Sequence, residues 1–85
     1  MRRKFQNTSS NSFPLRMAGE GDKVRIVSLR GGKGFQDRLF GMGLNVGAEV
    51  EIIQNWRGGK MLVVHEGTRF FLGGGMAQKI HVIPV

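Results

Sequence analysis

The chain contains no cysteine and no tyrosine, and only two prolines, two histidines and one tryptophan among its 85 residues. Without cysteine there is no disulfide framework and no thiolate metal site, a composition that fits a reducing compartment. No apolar run approaches the roughly 18 to 20 residues of a bilayer-spanning helix. Arg2, Arg3 and Lys4 open the chain with no apolar segment behind them, so the N-terminus does not read as a secretory signal. The expected location is the cytoplasm, the inner face of its membrane included. Acidic residues are scarce as well: six against thirteen Lys plus Arg, for a formal charge of +7. From Pro14 onward ten basic residues face those six acids, leaving +4. Such a balance raises affinity for polyanions in general without choosing among nucleic acid, lipid headgroups and acidic protein surfaces, and it equally keeps a small protein soluble.

What the chain does have is glycine, 14 residues, and 40% hydrophobic content. That suffices for one small domain, able to bury only around 60% of its unfolded surface. Residues 1–12 are polar and Ser/Asn-rich and are expected to form a disordered tail; the domain is expected over 13–85. The stretch Gly34-Phe35-Gln36-Asp37-Arg38-Leu39-Phe40-Gly41-Met42-Gly43-Leu44 reads as a short helix over about 35–42. Phe35, Leu39 and Met42 recur at i, i+4 and i+7 on one helical face, with Phe40 widening the stripe. Gly34 fits the N-cap and Asp37 the first turn, where a carboxylate meets free N–H groups. Gly43 fits a left-handed C′ position, which makes Leu44 and Leu39 the hydrophobic pair of a Schellman stop. Gly41 costs about 1 kcal/mol of helix propensity, so two turns of helix must be held by packing on a sheet.

Strands are expected at 23–29, where Val24 and Ile26 share a face, at 49–54, 60–65 and 68–72 as an antiparallel meander, and at 80–85. Trp56-Arg57-Gly58-Gly59 and Glu66-Gly67 supply tight turns, and 73–78 has room for one helical turn. Phe13, Leu15 and Met17 read as an extended lead-in covering one end of the core. Pro84, near the chain end, suits an edge strand. Five to six short antiparallel strands with glycine-marked corners and little helix point to a mainly β fold, a small β-barrel closing on itself.

Catalytic chemistry is missing. His65 and His81 are the only candidate bases, and each lies among aliphatic residues on a strand; His65 and its neighbour Glu66 point to opposite faces and cannot easily share a metal. Gly32-Lys33 lacks the flanking residues of a phosphate loop, and Gly41-Met42-Gly43 lacks the third glycine of a dinucleotide fingerprint. A non-enzyme is expected. Lys and Arg near Trp56 and Phe70-Phe71 leave a nucleic-acid-binding barrel as an alternative.

The run Arg38-Leu39-Phe40-Gly41-Met42-Gly43-Leu44, followed by Gly47 and an alternating strand, resembles the signature of the FeoA family of bacterial ferrous iron transport. Val27-Ser28-Leu29-Arg30-Gly31-Gly32 is similar to that family's first strand and glycine turn, and Leu72-Gly73-Gly74-Gly75-Met76-Ala77-Gln78-Lys79-Ile80 to its closing turn. The likeness covers about 14–85. Two positions depart: the family often has Pro where this chain has Val46, and Arg where it has Gly74. The resemblance implies an SH3-like barrel, with Gly43, Gly47 and Gly75 as its structural glycines. It further implies an accessory of FeoB, the membrane-embedded Fe²⁺ transporter with a cytoplasmic GTP-binding domain, acting through protein–protein contacts. Similar barrels end the iron-dependent repressors of the DtxR type, which keeps a metal-binding module as a second alternative. No resident cofactor is expected; Fe²⁺ or another divalent metal is the one candidate. The chain is expected as a monomer or weak homo-oligomer. For the partner contact, the residues suggest an apolar seam beside the helix stop, bordered by Leu39, Met42 and Leu44 with Arg38 at its rim, all three apolar side chains having core packing as their alternative role.

Overall fold

A computed structural model describes residues 11–56 and 59–85. The expected disorder of the tail therefore falls, for residues 1–10, outside the described residues, as does the Arg57-Gly58 centre of the first hairpin turn. In chain order the elements are β1 (Phe13–Pro14), a 3₁₀ turn (Leu15–Met17), β2 (Lys23–Leu29), α1 (Lys33–Gly41), β3 (Glu49–Asn55), β4 (Met61–His65), β5 (Thr68–Leu72), α2 (Gly74–Lys79) and β6 (Ile80–Pro84). The strands form one antiparallel sheet in the order β1-β6-β2-β3-β4-β5. Irregular register between Ile26 and Ser28 and between Ile52 and Gln54 puts bends in β2 and β3. Such bulges sharpen the local twist and let a six-stranded sheet curl into a barrel.

One core fills it, with Val24 and Ile26 of β2, Val50 and Ile52 of β3, Met61 and Val63 of β4, and Ile80 and Val82 of β6 all buried. Each pair is spaced by two, as one face of a pleated strand requires. Leu15, Ala18, Leu39, Leu44, Leu72 and Ala77 complete the core from the turn and the residue after it, α1 and its exit, β5 and α2. Among the described residues β1 and β5, the two ends of the sheet, are not paired with each other. The strand ladder thus stops short of the closure expected, and α2 spans the seam: it follows β5 directly and packs against β1 and the 3₁₀ turn.

Three local expectations need correction. Helix α1 starts at Lys33 rather than near Phe35, with Gly32 as N-cap and no capping side chain. Asp37 consequently lies past the first turn, where it accepts a hydrogen bond from Lys33 at 3.1 Å instead of meeting free backbone N–H groups. Packing decides that start: the Phe35 ring lies over Gly31, where an added Cβ would come within 2.3 Å of it. Second, β6 is no edge strand, since it runs between β1 and β2. Pro84 is tolerated for another reason. Val85 donates to Lys23 O, so the missing N–H of Pro84 would point to the opposite side, past the end of the two-residue β1. Third, Met17 is exposed rather than core-covering, because the chain coils into a 3₁₀ turn after Pro14 that buries only Leu15.

The helix stop matches the expectation atom by atom. Gly43 has φ +79°; its N–H donates to Phe40 O at 3.0 Å, and the Leu44 N–H donates to Leu39 O at 2.9 Å. Gly47 (φ +98°) then donates to Ile26 O at 2.8 Å, hooking the exit loop onto β2. By contrast Gly75 has no positive φ and open space around its Cβ position, so its backbone conformation does not call for glycine. Gly74 is the constrained one of that pair: an added Cβ would lie 2.9 Å from Gly59 O.

Gly43→Ala introduces a Cβ with ordinary room beside His65 but in the left-handed region, and is expected to cost about 1–2 kcal/mol. Urea denaturation reads this as a lower midpoint at unchanged slope; an unchanged midpoint would show that the stop does not need its glycine.

Candidate functional site

Helix α1 and its exit loop cover the core from outside the sheet. With about 100° per residue, Leu39 points inward and the two flanks diverge. Phe35 and Met42 lie to one side, half-buried against the core, with Arg38 further round and exposed. Gln36 and Phe40 lie to the other side, and the Phe40 ring is 71% exposed. Val46, in the exit loop, is 62% exposed, and together with Leu29, Gln36, Asp37, Phe40 and Asn45 it lines a shallow open cleft. Leaving two apolar side chains in water beside each other gains nothing for the fold, so this is where the cap has contact surface to spare.

The residues expected to border the partner seam separate on this geometry. Leu39 and Leu44 are fully buried core residues, so neither forms an accessible seam. Met42 is partly covered, and Arg38 lies on the flank away from Phe40. Phe40, read as part of the inward stripe, faces outward instead, being about 100° round from Leu39. That offset is visible in the sequence, and an apolar Val46 in a turn was a second signal.

The opposite flank of the cap is fixed by His65. Its Nδ1 donates to Glu49 O at 2.9 Å, and its ring packs beside Gly43, so one side chain joins the helix stop to the start of β3. Glu66 Oε1 lies 3.9 Å from Nε2, and among the described residues no group of three or more His, Asp or Glu could hold a metal ion. His81 stands apart on β6, in register with Pro14 and Ser28. Burial first, and the nearby Arg30 guanidinium second, push its imidazole below the ordinary value of 6.5. Among the described residues, the side-chain hydrogen bonds and ion pairs at the two histidines are those of His65 with Glu49 O and Glu66. The described ion pairs, Arg25 with Glu49 at 2.7 Å and Lys33 with Asp37, are exposed and worth about 0–1 kcal/mol each. Lys79 Nζ lies 5.3 Å from the Phe35 ring centroid, a cation–π contact that pins the near flank of α1 to the end of α2.

Fold and surface together define a small SH3-like barrel with a helical cap whose outer flank is apolar and open to solvent. Comparison with known proteins narrows this. The FeoA domain family model matches residues 13–84, and the chain belongs to the FeoA family. A protein of Methanocaldococcus jannaschii, named provisionally as Fe(2+) transport protein A, is 34% identical over 70 residues, covering 82% of this chain and 84% of its own. The crystal structure of an iron uptake regulatory protein (FeoA) superposes with a TM-score of 0.82 at 31% identity, covering 87% of this chain and 99% of that one. A manganese-dependent transcriptional repressor shares the fold over 42% of its length, with a TM-score of 0.80 at 16% identity. No helix among the described residues is long and apolar enough to cross a membrane.

The His81 geometry gives a signed pH dependence. The unfolded chain binds a proton near pH 6.5 and the folded one only lower, so stability is lost as pH falls from 7 through that interval. Melting temperatures of the wild type should drop more between pH 7 and 5 than those of His81→Gln; equal drops would show that His81 titrates alike in both states.

Proposed function

We propose that this protein is an accessory of Fe²⁺ transport that works by docking, without catalysis and without a resident cofactor, on the cytoplasmic GTP-binding domain of a FeoB-type transporter. The contact is the outer flank of the α1 cap, centred on Phe40 and Val46, with Gln36 and Asn45 as polar rim. Membership of the FeoA family and the transport function carried in its relatives' names support the first half. The observation that carries the second is the exposure of a Phe and a Val side by side on the cap. Large aromatic side chains that fill a partner's pocket dominate protein interfaces, while the surrounding polar contacts mainly exclude water.

Fe²⁺ is cargo in this reading and belongs to the transporter. The barrel's part is mechanical: it holds two apolar side chains at a fixed separation on a surface too small to unfold locally without losing Leu39 and Leu44 from the core. A rigid contact of this kind pays little ordering entropy on binding. Leu39 and Leu44 act through position only, so truncating either lowers stability, by about 2–5 kcal/mol for Leu→Ala in a core, before it tells anything about binding.

Titration calorimetry with the partner's isolated GTP-binding domain tests the reading. Phe40→Ser should weaken binding about tenfold or more with melting temperature preserved, because the ring lies in water in the free protein. Unchanged affinity in that folded variant, or no binding by the wild type, would contradict it.

A further inference from the structure

The two ends of the sheet are protected unequally. β1 is two residues long, includes Pro14 and has α2 packed on it. Short length, proline and a covering element are the means by which proteins blunt a strand edge. β5 has none of them: it runs five residues without proline, its register on β4 has no shift, and Thr68, Arg69 and Phe71 are exposed.

The turn before β5 fixes which of its backbone groups are open. Glu66 and Gly67, both at positive φ, make a two-residue hairpin turn, across which His65 and Thr68 exchange both hydrogen bonds. Alternation along the antiparallel ladder then turns the N–H and C=O of Phe70 and Leu72 to β4 as well, and points those of Arg69 and Phe71 away from it. Among the described residues no hydrogen bond uses these four outward groups. Side chains alternate too. Phe70 and Leu72 face the core, while Arg69 and Phe71 stand on the outer face with Val64 and Leu62 of β4. The Phe71 ring stacks on Trp56, centroids 6.2 Å apart, and Lys60 Nζ lies 5.4 Å from its centroid. Among the described residues Arg69 pairs with no carboxylate.

We propose that β5 pairs with β5 of a second copy of this chain, antiparallel about a two-fold axis at Phe70. That register sets the open groups of Arg69 opposite those of the partner's Phe71, and the reverse, for about four hydrogen bonds between the copies. It also places each Arg69 guanidinium beside the partner's Phe71 ring, a cation on an aromatic twice over, and brings the two Phe70 rings together at the axis. Lys60 reaches the Phe71 ring from the β4 side, which leaves the side toward the open edge for that guanidinium. Past the strand, the partner's Gly67 falls opposite Gly73, so bare backbone meets bare backbone where α2 begins. This self-match favours a copy over a foreign peptide, which would have to bring its own ring and cation at the same spacing. Five residues a side lie at the low end of specific interfaces, which start at about 1,200 Å² in total, so the dimer is weak and follows protein concentration. The inference uses none of the α1 docking residues and stands or falls apart from them.

Sedimentation equilibrium and native-state amide exchange over a range of protein concentrations test it together. As the mean mass rises from monomer toward dimer, the Arg69 and Phe71 amides should become protected about tenfold, whereas the Thr68 and Phe70 amides are protected by β4 from the outset. Arg69→Pro removes an outward donor and puts a ring in the partner's path while sparing the bonds to β4. It should raise the dimer Kd about a hundredfold or more, with the melting temperature of the dilute monomer kept. Arg69→Glu, which sets a carboxylate against the partner's ring, should raise it about tenfold. Three results would overturn the inference: a wild type that stays monomeric up to millimolar concentration, a dimer of equal strength in the wild type and both variants, or a dimer in which the Arg69 and Phe71 amides exchange as fast as in the monomer.

Discussion

The structure depends on two hydrogen bonds and two side chains at the end of α1. The N–H groups of Gly43 and Leu44 close the helix on Phe40 and Leu39, and the same two leucines that bracket the stop are driven into the barrel. A nine-residue helix with glycine at both ends of its span has too little propensity to persist in water. Here the stop and the packing are a single event. The left-handed glycine turns the chain so that Leu44 falls beside Leu39, and burying that pair supplies what the helix lacks.

From that anchorage the outer surface follows. With Leu39 inward, the 100° step of the helix turns Phe40 to solvent and Arg38 to the far flank. His65 and the Lys79–Phe35 contact fix the near side, so the cap has no freedom to roll Phe40 under cover. The exit loop is held as firmly, through Gly47 on Ile26, and this is what keeps Val46 beside Phe40. Elsewhere the same economy operates on β4: its inner face is spent on the core, and its outer face collects a separate aromatic and basic cluster. The barrel thus presents two apolar surfaces built by different means, one helical and one on the sheet.

Much of the fold was legible because period-2 alternation and glycine punctuation are local. The strand over 23–29, the meander of β3, β4 and β5, and the Glu66-Gly67 turn, with both residues at positive φ, all follow from neighbours in sequence. Leu44 and Gly43 declared the helix stop in the same way. What escaped was set by distant residues. The start of α1 depends on Phe35 finding Gly31, and the interior place of β6 depends on β1 returning to pair with it. The division of the FeoA signature into core and surface was hidden for a related reason: the motif shows that Leu39, Phe40, Met42 and Leu44 are apolar, but only the register of α1 on the barrel decides which of them is covered. Gly75 shows the limit from the other side, a signature glycine whose neighbour Gly74 carries the steric constraint.

The central claim is that α1 has no stability of its own and is ordered by the barrel through Leu39 and Leu44. Native-state amide exchange tests it most directly, on the N–H groups of Gly43 and Leu44. If the claim holds, they exchange only with global unfolding, at the same free energy and with the same denaturant dependence as the Ile52 and Ile26 amides in the sheet. Exchange of the two stop amides through a local opening, several kcal/mol below the global value and independent of denaturant, would contradict it.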